Sequence, residues 1–138
     1  MRTFEEFLNE QVNVKWAIGK DKKYALDKIT RSDFIIVYVK PEEIIKLTDP
    51  EYRVDSDLSK NHIGDRMQKV INHVTSGEYL DPAIIAYNRY SKDVDKYPIT
   101  IDDGRHRIAA MKKLGIKEIP VYIMKSDKKD LQKVISVQ

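Results

Sequence analysis

With 138 residues, 41% of them apolar, the chain can build one domain around its own core, which argues against wholesale disorder. Its 25 Lys+Arg against 22 Asp+Glu leave a net charge of +3, too dilute by itself to mark a nucleic-acid binder, whose affinity needs clustered cations. Cysteine is absent, which removes disulfide scaffolds, thiolate metal sites and cysteine nucleophiles, and no apolar run reaches the roughly 18–20 residues of a membrane span.

In chain order, Phe4, Phe7 and Leu8 stand at helical spacing, so a short amphipathic helix opens the sequence. No signal-peptide pattern precedes it, and a cytoplasmic location is expected. Val12, Val14 and Trp16 alternate briefly before a lysine-rich stretch. Residues 1–31 therefore read as an appendage packed on a single domain that spans 32–138. The run from Phe34 to Val39 is β-branched and aromatic, which predicts a buried strand. Pro41-Glu42-Glu43 suits a first helical turn, with proline at its start and acids facing the positive end of the dipole. The polar stretch from Thr48 to Lys60 reads as a loop.

A helix is predicted over Asn61 to Thr75, with Ile63, Met67, Val70, Ile71 and Val74 on one stripe and Gly77 at its C-terminal cap. Strands follow at Ala83 to Tyr87 and Ile99 to Ile101, around a polar loop from Asn88 to Lys96. Asp102-Asp103-Gly104 then turns into a helix from Arg105 to Leu114, closed by Gly115. A last strand, Ile119 to Ile123, and a short helix from Asp127 complete the pattern. Strands alternating with helices indicate an α/β or α+β fold. The unit from Ile101 to Leu114 is expected at the centre of a mixed sheet, with Ala109, Ala110 and Leu114 packed beneath it.

The chemistry concentrates where the strand runs through Gly104 into Arg105-His106-Arg107. Three basic residues in a first helical turn oppose the macrodipole, at a cost of about 0.3–1 kcal/mol per exposed cation. A bound anion reverses that sign, because backbone N–H groups, dipole and guanidinium all favour negative charge. Gly104 lets a phosphate approach the backbone closely. The same spacing also fits a plainer reading, with Asp103 as an N-cap, Gly104 as a tight-turn residue and the cations as solvated surface. Spacing alone leaves both open.

The segment Asp103-Gly-Arg-His-Arg-Ile-Ala-Ala110, followed by Leu114-Gly115 and Ile119-Pro-Val121, resembles the signature of the ParB/sulfiredoxin superfamily. Pro41-Glu-Glu-Ile44 and Gly77-Glu-Tyr-Leu-Asp-Pro82 are similar to upstream family pieces and stand in the same order. The resemblance covers Phe34 to Met124. It implies a ParB/sulfiredoxin-like mixed sheet with flanking helices, and a nucleotide site whose phosphates rest on Gly104, Arg105, His106 and Arg107. Arg53, in Asp49-Pro-Glu-Tyr-Arg53, is similar to an arginine that follows a proline in ParB-like domains, and is carried over as a nucleotide-binding candidate. ATP or CTP with Mg²⁺ is the implied cofactor pair. Sulfiredoxins hold a catalytic cysteine where this chain has Arg105, so their chemistry is excluded. No helix-turn-helix pattern follows the last strand, which points to a stand-alone nucleotide-binding core.

Beside bound phosphates, Asp102 or Asp103 can supply a Mg²⁺ ligand or a general base. Strand alternation sends the two side chains to opposite faces, so one is expected to point into the site, and Asp103 is the better placed. Asp103 and His106 are accordingly the candidate catalytic residues, with Asp103 also the candidate metal ligand. His62, Arg66, Lys69 and His73 recur at helical spacing beside the apolar stripe. They form either a phosphate- or nucleic-acid-binding face or, more commonly for such patterns, a solvated flank. The histidines form no compact zinc motif. Tyr79, Tyr87, Tyr90 and Tyr97 are read as packing and loop-anchoring residues.

The leading expectation is nucleoside triphosphate binding, with hydrolysis or phosphoryl transfer to a small acceptor. The alternatives are a DNA-binding protein or nuclease of ParB-like type, and a catalytically inactive phage accessory or host-interaction protein; the partners expected are a nucleotide, then DNA, and a protein partner or a second copy of the chain. The opening Met-Arg-Thr-Phe-Glu-Glu-Phe-Leu resembles the starts of some tailed-phage proteins. No membrane partner is expected.

Overall fold

A computed structural model describes residues 13–18, 33–49, 61–87, 93 and 95–138, with the backbone alone for 61–65. The predicted N-terminal helix, Arg53, Tyr90, the His62 and Ile63 side chains and most of the two polar loops lie outside the described residues.

The fold is α+β. Its strands are β1 (Lys15–Trp16), β2 (Phe34–Val39), β3 (Tyr79–Leu80), β4 (Ala83–Tyr87), β5 (Ile99–Asp103) and β6 (Ile119–Met124). Its helices are α1 (Pro41–Lys46), α2 (Asn61–Thr75), α3 (Arg105–Lys113) and α4 (Lys128–Gln132), the last entered through a 3-10 turn at Lys125–Asp127. Four strands form a mixed sheet in the order β2-β6-β4-β5. β6 runs parallel to β4 and antiparallel to β2, while β4 and β5 are antiparallel. β1 and β3 make a small parallel pair of their own.

Apolar, β-branched content explains the two inner strands. Ala83, Ile85 and Ala86 of β4 are buried, as are Ile119, Val121, Tyr122 and Ile123 of β6. β2 is an outer strand, and its Tyr38 exchanges backbone hydrogen bonds with Gln138 (2.9 and 3.1 Å), so part of its open edge is paired. α1 begins on Pro41, with Glu42 and Glu43 in its first turn, and buries Ile44 and Ile45. α2 follows its apolar stripe: Met67 and Val74 are buried, and Val70 and Ile71 pack on the core from partly buried positions. It ends where Gly77, at φ +83°, lets the N–H groups of Gly77 and Glu78 reach the Val74 and His73 carbonyls.

Two differences from the sequence reading bear on the site. The unit from β5 to α3 lies at the edge of the sheet, not at its centre, because β5 pairs with β4 on one side and, among the described residues, meets a single bridge, Thr48 to Ile99, on the other. Its outer side is thereby left to a cleft. β5 also continues two residues further than predicted, because Asp103 still pairs with Ile84. Between that pair and Ile85–Ile101 the register slips, leaving Asp102 as the extra residue of a β-bulge. Beneath the unit, Ala109, Ala110 and Leu114 are buried, the small residues letting α3 lie close to its neighbours. Residues 15–17 belong to the packed body, since Lys15 and Trp16 pair with Tyr79 and Leu80 and Ala17 is fully buried.

Candidate functional site

Gly104 is the single residue between β5 and α3, and it occupies the helix N-cap in the left-handed region (φ +91°, ψ +24°). Among the described residues no side chain caps the helix, and with Gly104 at the N-cap the capping role considered for Asp103 is not realised. The Asp103 carboxylate turns instead to Arg107, Oδ2 accepting from Nη2 at 3.2 Å. Gly104 is also sterically required. A Cβ there would stand 2.8 Å from the Ala83 Cβ, 3.0 Å from the Ala83 Cα and 2.7 Å from Arg107 Nη2. The turn is thus seated on the first residue of β4, with the Arg107 guanidinium laid against it. The α3 hydrogen-bond ladder begins with Ile108 N–H donating to the Gly104 carbonyl (3.0 Å), so the amides of Arg105, His106 and Arg107 precede it.

This turn forms one wall of an open cleft of about 770 Å³. Asp103, Gly104, Arg105, His106 and Arg107 all line it, so every site residue proposed at the turn is gathered there. Arg66 and Lys69 of α2, both exposed, also line it, so the basic flank of α2 borders the cleft. Val70, Ile99 and Ile101 supply apolar surface, and Thr48, Asp49 and Thr100 complete the lining. Four cationic side chains therefore face three carboxylates, Asp49, Asp102 and Asp103, around a helix N-terminus. Both Asp102 and Asp103 line the cleft, and the bulge breaks the strict alternation from which a single inward carboxylate was expected. His73 does not join this cleft. Its Nε2 lies 2.6 Å from the Tyr79 carbonyl, on the side of a smaller cleft of about 280 Å³.

The smaller cleft shares Lys69, Val70 and Arg107 with the larger one and adds Tyr79, Leu80 and Asp81. Asp81 lies between β3 and β4. The sequence reading held it only as a position inside Gly77-Glu-Tyr-Leu-Asp-Pro82, and a lone polar residue before a proline carries no further signal. Burial pushes its carboxyl above the ordinary 3.8, opposed by Arg107, with Asp103 adding to the rise and His73 opposing it. Asp81 Oδ1, Arg107 Nε and the Tyr122 hydroxyl are each buried, with no hydrogen-bond partner among the described residues. Burial, reinforced by the Asp81 charge, holds the Tyr122 hydroxyl above its usual range, so it stays protonated at neutral pH.

The Asp81 shift has a consequence for stability. Between its ordinary value and the raised one, a carboxyl raised on folding retains its proton in the native state while the unfolded chain has released it. Its favourable contribution is complete below the ordinary value and is lost as pH rises through the raised one. At neutral pH Asp81 therefore opposes folding. Asp81→Asn is expected to melt at a higher temperature than the natural protein at neutral pH, with the gap closing as pH falls toward 3.8. Melting curves across that range check it.

Among the described residues no group of three metal-ligating side chains is assembled, and no helix is long and apolar enough to cross a membrane. No family model and no curated protein matches the sequence. Among solved structures, the fold is similar to that of the oncogenic suppression activity protein, a plasmid fertility inhibition factor, in its gold(I) cyanide derivative (TM-score 0.57, 12% identity, 79% of this chain covered). The match spans 60% of that protein's length, and at this identity the likeness is one of fold.

Proposed function

We propose that the protein is a nucleotide-binding domain of ParB/sulfiredoxin type, which holds a nucleoside triphosphate with Mg²⁺ at the Gly104–Arg107 turn and promotes hydrolysis or phosphoryl transfer. The observation that carries this reading is the left-handed Gly104 seat, with no room for a Cβ, at a helix N-terminus flanked by Arg105, Arg107, Arg66 and Lys69. Phosphate oxygens would accept from the first-turn amides, and Arg107 would offset charge developing on the transferred group. His106 lies within the same wall, as a donor to the phosphates or to the leaving oxygen. The cleft also fits the metal. Mg²⁺ is commonly held by one or two carboxylates together with substrate phosphates, and Asp103, its side chain 59% exposed, stands beside the phosphate seat with Asp102 next to it. Mg²⁺ supplies charge neutralisation when bound.

Asp103→Asn tests the chemical role. Since Asp103 caps nothing and its ion pair is exposed, the change should cost no more than about 1 kcal/mol of stability. If Asp103 accepts a proton or orients the metal-bound phosphates, phosphate release should fall by about 10²–10⁴-fold. Equal turnover in the two proteins would remove Asp103 from the chemistry.

A thermal-shift panel of ATP, CTP, GTP, inorganic phosphate and duplex DNA, each with and without Mg²⁺, tests the binding itself. A ligand at 100 times its dissociation constant should add about 2.7 kcal/mol of stability. A shift confined to duplex DNA, lost steeply with salt, would favour the DNA-binding alternative. A second reading is an accessory protein that retains the fold without turnover; the protein of similar fold is named for inhibition, as a plasmid fertility inhibition factor. It predicts no nucleotide consumption under any of these conditions.

A further inference from the structure

Arg107 belongs to both clefts and faces two carboxylates. One guanidinium nitrogen is committed to the exposed carboxylate of Asp103, an arrangement in which water competes and little stability is gained. Its Nε, by contrast, is buried with no partner among the described residues. So is Asp81 Oδ1, close enough to Arg107 that the guanidinium charge is the largest electrostatic influence on it. The Tyr122 hydroxyl is a third such group, and it feels the Asp81 charge. A donor and an acceptor of opposite charge, both cut off from water and both unpaired, are a costly arrangement that a side-chain rotation can relieve.

We infer that Asp81 is a positioning residue: when an anion loads the larger cleft, Arg107 passes from Asp103 to Asp81, and Asp103 is released for its own role. This rests on the anion-binding reading above and adds what the sequence did not show. An anion at the Gly104 seat competes with Asp103 for the outer nitrogens of the guanidinium. Asp81 then takes the inner Nε–H and holds the plane across the head of the cleft. The groups facing Asp81 are Arg107 and Asp103 from the turn, His73 and Lys69 from α2, and Tyr122 from β6.

The two carboxylates then have opposite effects on anion affinity. Charge alone predicts that removing either one tightens binding. The exchange predicts that Asp103→Asn tightens it, by weakening a competitor, while Asp81→Asn weakens it about tenfold, because an amide oxygen still accepts the Nε–H but without the charge that roughly doubles such a bond. The test is calorimetric titration of both variants and the natural protein with inorganic sulfate, whose charge is fixed near neutral pH. In parallel, the Arg107 Nε–H resonance of the natural protein is followed, which needs no variant to fold. The expected result is a tightened Asp103→Asn, a weakened Asp81→Asn and a downfield move of the Nε–H signal on sulfate addition. Sulfate binding with both variants tightened and the signal unmoved overturns the exchange while leaving the anion site standing. No binding of sulfate or of ATP with Mg²⁺ to the natural protein overturns both.

Discussion

Gly104→Ala is expected to lower both stability and anion binding, with the largest loss of stability of any change at the site. Two independent terms add. The left-handed backbone at φ +91° costs an alanine about 1–2 kcal/mol. The new methyl also meets Ala83 at 2.8 Å (Cβ) and 3.0 Å (Cα), atoms of a buried residue on an inner strand that cannot swing aside. Overpacking of this kind adds about 1–3 kcal/mol. Together these correspond to a fall in melting temperature of roughly 10 °C or more for a domain of this size. The Arg107 guanidinium, 2.7 Å from the same methyl, would be displaced as well, so sulfate affinity should fall in the fraction that still folds. Melting and calorimetry on one preparation check both effects. An unchanged melting temperature would mean that the turn relaxes without Gly104, and that its geometry is incidental.

Arg107→Ala is expected to have the largest effect on binding and a small one on stability. Its outward ion pair is with an exposed carboxylate, Asp103, and contributes little to folding. Its loss from the cleft removes a charge-assisted hydrogen bond, worth about 1.5–3 kcal/mol, or roughly 10- to 150-fold in the dissociation constant of ATP with Mg²⁺. Titration of the variant against the natural protein measures this directly. Unchanged affinity would reduce the basic turn to surface.

The elements that local chemistry dictates were legible in the sequence. The runs Phe34–Val39 and Ala83–Tyr87 are strands with the predicted limits, and the Met67, Val70, Ile71, Val74 stripe lies on the helix Asn61–Thr75. Pro41 with its two following acids starts α1 as proline at N1 and the dipole require. What escaped was set by partners distant in the chain. β1 and β3 are two residues each, too short for any periodicity, and exist because they pair with one another. The edge position of β5 follows from which strand pairs with which, and so does the Asp102 bulge, whose extra residue is defined only by the register against β4.

The site was half legible for the same reason. Asp103 to Arg107 are contiguous, so their grouping needed only a strand, a glycine and a helix. Arg66 and Lys69 had the right spacing to share a face, but only the packing of α2 beside α3 turns that face toward the turn. Asp81 carried no local signal. Its importance lies in burial beside Arg107 and Tyr122, residues 26 and 41 positions further along by number.

The central claim, that phosphates rest on the Gly104–Arg107 turn, is tested most directly by amide resonances during titration with ATP and Mg²⁺. The account predicts saturable shifts largest at Gly104, Arg105, His106 and Arg107, with smaller ones at Arg66 and Lys69 of α2, and their loss in Arg107→Ala. Saturable shifts centred elsewhere, or none at these amides, would contradict it.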